Sequence, residues 1–164
     1  MTRIGVLSDT HITEGSGQKL PEKMLRDFRS VDLIIHAGDW VDLCVMDQLS
    51  PLAEVRGVFG NMDGPAVRYH WPEIDCFSLD GFNIGIIHGW GPKEGLEYRI
   101  LKKFPDPPDL IMFGHTHVPL SQKIGEVLVF NPGAPLGRAH NNRNTYGIIT
   151  LGDSIRTEIV PTLP

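Results

Sequence analysis

Seven residues of this chain carry side chains suited to divalent metal ions, and they fall in a spaced series. They are Asp9-x-His11, Asp39, Asn61, His88 and His115-x-His117, within "SDTH", "HAGD", "GN", "HG" and "GHTH". Each segment follows an apolar run that reads as a strand. In an open α/β sheet the crevice beyond the carboxyl ends of parallel strands is where ligands bind. In extended chain, residues i and i+2 point the same way, so each x-spaced pair is expected to aim two donors at one place. Gly38, Gly60, Gly89 and Gly114 flank the donors and permit tight turns there. The set mixes imidazole nitrogen with carboxylate and amide oxygen and contains no thiolate. That suits Mn, Fe, Zn, Co or Ni. Seven donors exceed the need of one ion with an open position. They suit two ions about 3.5–4 Å apart that share a carboxylate, clamp a phosphate and activate a water. Asp39 stands alone on its segment and is the candidate bridge. Two ions and two carboxylates leave a local charge of about +2, a receptacle for phosphate in an acidic protein.

The elements that must position these donors follow from the rest of the chain. Its 164 residues, 41% hydrophobic and 21% charged, suit a single domain spanning 1–164. The net charge of −5 argues against nucleic acid or an anionic membrane as partner. Cys44 and Cys76 form no CxxC pair, so neither a disulfide framework nor a thiolate zinc site is implied. Neither a secretory signal nor a membrane-length apolar run appears, and a cytoplasmic location is expected.

"RIGVLSD", "VDLIIHAGD" and "AEVRGVFGN" read as strands. Between them lie helical faces marked by Leu20, Met24, Leu25 and Phe28, and by Leu43, Met46 and Leu49. This βαβαβ order implies parallel neighbours. "DCFSLDGFNIGIIHG" reads as a hairpin turning at Asp80-Gly81. A helix marked by Leu96, Ile100, Leu101 and Phe104 follows, then the loop "FPDPPD" and the strand "DLIMFG". From Val118 onward only strands are expected, in two hairpins turning at Gly125 and Gly152. The expected class is α/β: a largely parallel sheet, then hairpins that form or extend a second sheet, with helices outside. Bland readings hold for several polar residues. His36 and His70 read as satisfied polar groups, the basic residues of "YRILKKF" as a solvated helix face, and Trp40 and Trp90 as packing or as cleft lining.

D-x-H, G-D, G-N-x-D, H-G and G-H-T-H, in this order, resemble the motifs of the calcineurin-like metallophosphoesterases, in particular their small stand-alone phosphodiesterases. The resemblance runs from Asp9 to about Arg138. It implies a β-sandwich of two mixed sheets flanked by helices, in four α/β/β/α layers. It implies that Asp9, His11 and His117 hold one metal, that Asn61, His88 and His115 hold a second, and that Asp39 bridges them. Mn is foremost among the metals, with Ni, Fe, Zn or Co as alternatives. The implied activity is hydrolysis of phosphate diesters by in-line attack of a metal-bridging hydroxide. Asp39, Asn61 and His88 would do catalytic work by holding that hydroxide and the phosphate. A phosphomonoesterase or nucleotide hydrolase on the same site is the alternative, and a scaffold of the same fold a third. The partner implied is a small-molecule phosphate ester, and a homo-oligomer remains open.

Four further expectations attach to the resemblance. Asp63 would support a ligand or the Gly60-Asn61 turn. Asn131 and Gly133 of "NPGA", where Ala134 replaces the family's Ser, would lie near substrate, as would Arg138. Met62 occupies the position where larger relatives keep a His that binds phosphate or protonates the leaving oxygen. A thioether donates no proton. His140, in the "RAHNNRN" loop, is a candidate substitute.

Overall fold

The computed structural model describes residues 1–137 and 143–163. Two five-stranded mixed sheets pack face to face. The first takes β1 (Thr2–Leu7), β2 (Leu33–His36), β3 (Glu54–Gly57), β9 (Thr145–Leu151) and β10 (Ile155–Pro161), in the order β10-β9-β1-β2-β3. The second takes β4 (Ile74–Leu79), β5 (Phe82–Ile87), β6 (Leu110–Met112), β7 (Leu120–Ile124) and β8 (Val127–Asn131), in the order β4-β5-β6-β8-β7. The β1-β2-β3 run is parallel, as are β5-β6 and β6-β8.

Strand alternation builds the layers. Ile4 and Val6 of β1, Ile35 of β2, Ile84 and Ile86 of β5, Met112 of β6 and Ile149 of β9 fill the core between the sheets. Residues of opposite parity face outward. Ile34 packs with Met24 and Phe28 of α1 (Glu22–Phe28) and Leu49 of α2 (Met46–Leu49). Ile87 and Ile111 pack with Leu96 and Ile100 of α4 (Leu96–Leu101). The four-layer α/β/β/α sandwich implied by the resemblance is the observed fold.

Two features depart from the expected chain path. The last hairpin does not extend the second sheet: β9 pairs with β1 in the first. Burial explains the choice. β9 is buried along almost its whole length and needs neighbours on both sides, whereas β10 alternates as an edge strand does. A helix not anticipated from periodicity, α3 (Pro65–His70), follows Gly64. It buries only Val67 and starts at a Pro, so its signal lies in the terminus rather than in a stripe. The Asp80-Gly81 turn is as expected, with φ of 50° and 83° giving the left-handed pair a two-residue hairpin needs. No helix among the described residues is long and apolar enough to cross a membrane.

Gly147 marks a close approach of the sheets, because a Cβ there would collide with the ring of fully buried Phe130. Gly147→Ala is expected to cost about 1–3 kcal/mol by overpacking. Gly152→Ala, with only Met1 nearby, should leave the urea midpoint almost unmoved.

Candidate metal centre

The donor segments leave β1, β2, β3, β5 and β6 at their carboxyl ends, so both sheets deliver them to one edge. Backbone bonds stitch the segments together: Asp9 N–H donates to Gly38 O at 2.9 Å, His11 N–H to Asp39 O at 3.2 Å, and Gly114 N–H to His88 O at 3.2 Å. The donors do not project as alternating residues of extended strands. Asp9, His11, Asp39, His115 and His117 all have left-handed backbones, with φ of 56°, 49°, 57°, 66° and 60°. Non-glycine residues adopt this region at a cost and keep it only where surroundings over-determine it. The paired donors therefore turn rather than alternate, and His115 and His117 reach different neighbours.

Asp9 lies at the heart of one group. Its Oδ1 is 3.1 Å from His117 Nε2 and 3.8 Å from both His11 Nε2 and His88 Nε2. Asp39 Oδ2 stands 3.5 Å from His11 Nε2 and 3.3 Å from His88 Nε2. Asn61 Oδ1 lies 3.2 Å from His88 Nε2 and 3.1 Å from His115 Nδ1. The seven residues thus form a continuous constellation. Asp9, His11 and His117 have the mutual spacing to hold one ion, as do Asp9, Asp39 and His88.

The chemistry of the set fits cations. Asp9 Oδ1 and His11 Nε2 are buried with no hydrogen-bond partner among the described residues, and such orphans are costly. The other ring nitrogens are already committed: His88 Nδ1 lies 2.7 Å from Ala37 O and His115 Nε2 lies 2.8 Å from Gly91 O. A carbonyl accepts, so each of those nitrogens carries the hydrogen. The opposite nitrogen of each ring, which faces Asn61 Oδ1, is the one a cation would take. Carbonyls orienting imidazoles in this way are the usual second layer of a metal site. Burial alone would raise the Asp9 pKa, but the neighbouring imidazoles of His11, His117 and His88 favour the charged carboxylate and hold it well below the usual range. Burial likewise opposes charge on His88, yet Asp39 and Asp9 raise its pKa to about 9. In the metal-free chain a proton on His88 supplies positive charge that a cation would otherwise bring.

Asp63 holds this geometry. Its Oδ2 accepts from Asp39 N–H at 3.0 Å and Gly60 N–H at 2.7 Å, and its Oδ1 accepts from Val41 N–H at 2.6 Å. Val41, β-branched at φ 71°, is kept in place by that bond. Met62 contributes through its backbone: its N–H donates to Asp39 Oδ1 at 2.9 Å, leaving Oδ2 toward the histidines. Its side chain is 54% exposed. A Cβ on Gly60 would collide with Asp39 Oδ1, which is why the residue before Asn61 is glycine.

Several supporting groups have no sequence signal of their own. Ser8 Oγ donates to Asp9 Oδ2, which also accepts from His115 N–H at 3.1 Å. Arg68 donates from Nε to Asp63 O at 2.7 Å and from Nη2 to Gly60 O at 3.1 Å. Arg99, expected on a solvated face, instead binds the carbonyls of Glu94, Trp90 and Pro92.

Asn131 and Gly133, expected near substrate, are engaged by hydrogen bonds within the chain. Asn131 is fully buried. Its Nδ2 donates to Gly114 O and Thr116 Oγ1, and its Oδ1 accepts from Gly133 N–H. Both residues brace the turn carrying His115 and His117. Arg138 and His140 lie outside the described residues. His36 is a satisfied core residue: it contacts Thr10 Oγ1, accepts from Gly38 N–H and stacks on buried Trp40. Burial holds its pKa down to about 3.

The order and convergence of these motifs agree with what comparison with known proteins finds. The calcineurin-like phosphoesterase superfamily domain matches residues 2–154. The chain belongs to this family. It is 32% identical to a probable metallophosphoesterase of Methanothermobacter thermautotrophicus, covering 97% of this chain and 92% of that one. It is 31% identical to a phosphodiesterase of Methanocaldococcus jannaschii, covering 82% of this chain and 85% of that one. The solution structure of a Thermotoga maritima protein, 33% identical, superposes with a TM-score of 0.75 over 98% of this chain and 99% of that one.

Asp63→Ala leaves three N–H groups without their acceptor, at about 1–3 kcal/mol for each that stays buried. It is expected to lower the urea midpoint sharply and to weaken Mn²⁺ binding in a calorimetric titration. Asp63→Asn, which keeps an acceptor oxygen, should fall between it and the wild type.

Proposed function

We propose that this calcineurin-like phosphoesterase hydrolyses phosphate diesters with two divalent ions. The observation that carries the reading is Asp39 Oδ2, 3.5 Å from His11 Nε2 and 3.3 Å from His88 Nε2. One carboxylate oxygen within reach of donors assigned to both ions suits a shared ligand. Asp9, His11 and His117 are assigned to the first ion, Asn61, His88 and His115 to the second, and Asp39 to both. Mn²⁺ is the first choice, with Ni, Fe, Zn and Co as alternatives.

The bound ions supply Lewis acidity and lower the pKa of water. The chain's part is orientation. Ser8 and the His115 N–H fix the outer oxygen of Asp9, and the Met62 N–H fixes that of Asp39. The carbonyls of Ala37 and Gly91 fix which nitrogen His88 and His115 present. Donors held this way need no rearrangement when charge develops on a phosphoryl group. Catalytic roles are assigned to Asp39, Asn61 and His88; Asn61 and His88 line the cleft beside the donors.

The diester reading is favoured by the M. jannaschii relative, named a phosphodiesterase, and by Met62, which brings no proton to the leaving oxygen. General acid help is worth about 10²–10⁴-fold, so esters whose leaving groups are stable as anions should be preferred. A monoesterase on the same site is the second reading. Scaffolding alone would give no reason to keep Asp9 Oδ1 and His11 Nε2 buried without partners.

Turnover of bis(p-nitrophenyl) phosphate is expected to need added metal, to exceed that of p-nitrophenyl phosphate, and to vanish in Asp39→Asn. Wild-type rates in that variant would contradict the shared carboxylate. Met62→His, provided it keeps its metals, should raise rates on esters with poor leaving groups more than on activated ones. A uniform effect would mean that the residue 62 side chain does not face the leaving group.

A further inference from the structure

We infer that His36 is a positioning residue of the metal centre, whose ring fixes the turn bearing Asp9 and His11 against the turn bearing Asp39. The inference rests on the metal-dependent reading above and adds to it a residue that is not itself one of the donors. A buried imidazole is a costly way to fill a core. A phenyl ring would stack on Trp40 as well and would bring no polar atoms to be desolvated. What the imidazole adds is two nitrogens, and both are engaged with the turns that carry donors.

His36 Nδ1 accepts from the Gly38 N–H at 3.2 Å. Gly38 directly precedes Asp39 and has a φ of 95°. A neutral ring that accepts at Nδ1 carries its hydrogen on Nε2, so Nε2 donates to Thr10 Oγ1 at 3.0 Å. Thr10 stands between Asp9 and His11. Its hydroxyl is left to donate to Trp40 O, the residue after Asp39, at 3.5 Å. One ring thus engages the chain neighbours of three donors, and all three of those donors have left-handed backbones. The ring has no room to slide. It is fully buried and stacked on Trp40, with centroids 3.7 Å apart and planes 13° apart. Trp40 is held in turn, since its Nε1 donates to Val58 O at 2.9 Å, three residues before Asn61. The spacing this tie controls runs from His11 Nε2 to Asp39 Oδ2, 3.5 Å.

The test compares three variants of the full-length chain by calorimetric titration with Mn²⁺ and by the urea midpoint of the metal-free protein. His36→Phe keeps a ring over Trp40 and removes both nitrogens. Thr10→Val removes the hydroxyl from the other end and leaves the ring alone. His36→Gln places an amide nitrogen where Nε2 donates. Groups that orient metal ligands are typically worth about 10–100-fold in affinity, and a loss of that size is expected in His36→Phe. Thr10→Val should lose part of it, the double variant should be no weaker than His36→Phe alone, and His36→Gln should recover part. A residue that only packs the core would lower the urea midpoint and leave the affinity of the folded chain unchanged. Mn²⁺ affinity within about twofold of the wild type in His36→Phe, or losses that simply add in the double variant, would overturn the positioning role while leaving the metal reading intact. If His36→Phe does not fold, Thr10→Val decides alone: weakened binding supports the tie and wild-type affinity overturns it. A wild-type chain that binds no divalent ion would overturn the metal reading and this inference together.

Discussion

Two buried carboxylates, Asp9 and Asp39, face three imidazoles across a small space, and the structure depends on how that crowding is resolved. Like charges at such distances repel, and burial removes the water that would screen them. Part of the answer is charge on one imidazole, because Asp39 and Asp9 raise the His88 pKa to about 9. That answer is incomplete, since Asp9 Oδ1 and His11 Nε2 remain without hydrogen-bond partners. Divalent ions would complete it, and their binding would then be coupled to loss of the His88 proton.

Holding this cluster needs both sheets. β1, β2 and β3 bring Asp9, Asp39 and Asn61 to one edge; β5 and β6 bring His88, His115 and His117 to meet them. The close contact at Gly147 and Phe130 belongs to the same requirement, because sheets further apart would separate the two halves of the site. The left-handed backbones at five donors are the local cost. Asp63, the Met62 N–H and the buried Asn131 amide offset it by fixing the turns. Residues that touch no ion thus decide where ions would go.

Much of this was legible in the sequence because it resides in residue types placed after apolar runs. The order Asp, His, Asp, Asn, His, His, His at strand ends marks the site before any fold is known. The geometry was less legible. An i, i+2 spacing suggests a pleat, whereas the chain uses left-handed turns, and backbone φ is not written in a residue name unless that residue is glycine. Carbonyl partners such as Ala37 O and Gly91 O leave no trace in sequence at all. Asn131 was placed near substrate only through the resemblance of its "NPGA" stretch to the family; its hydrogen bonds to the turn carrying His115 and His117 become visible only in the fold. The place of the last hairpin was hidden too, since pairing with β1 spans nearly the whole chain.

Met62 illustrates the division between side chain and backbone. Its thioether contributes no proton and lies at the surface, but its N–H aligns Asp39, on which the two-ion account turns. The most direct measurement of that account is electron paramagnetic resonance of the full-length chain titrated with Mn²⁺. Two ions per chain, with the spectrum of an exchange-coupled pair at saturation, is the predicted result. A single bound ion, or isolated six-line signals at saturation, would contradict it.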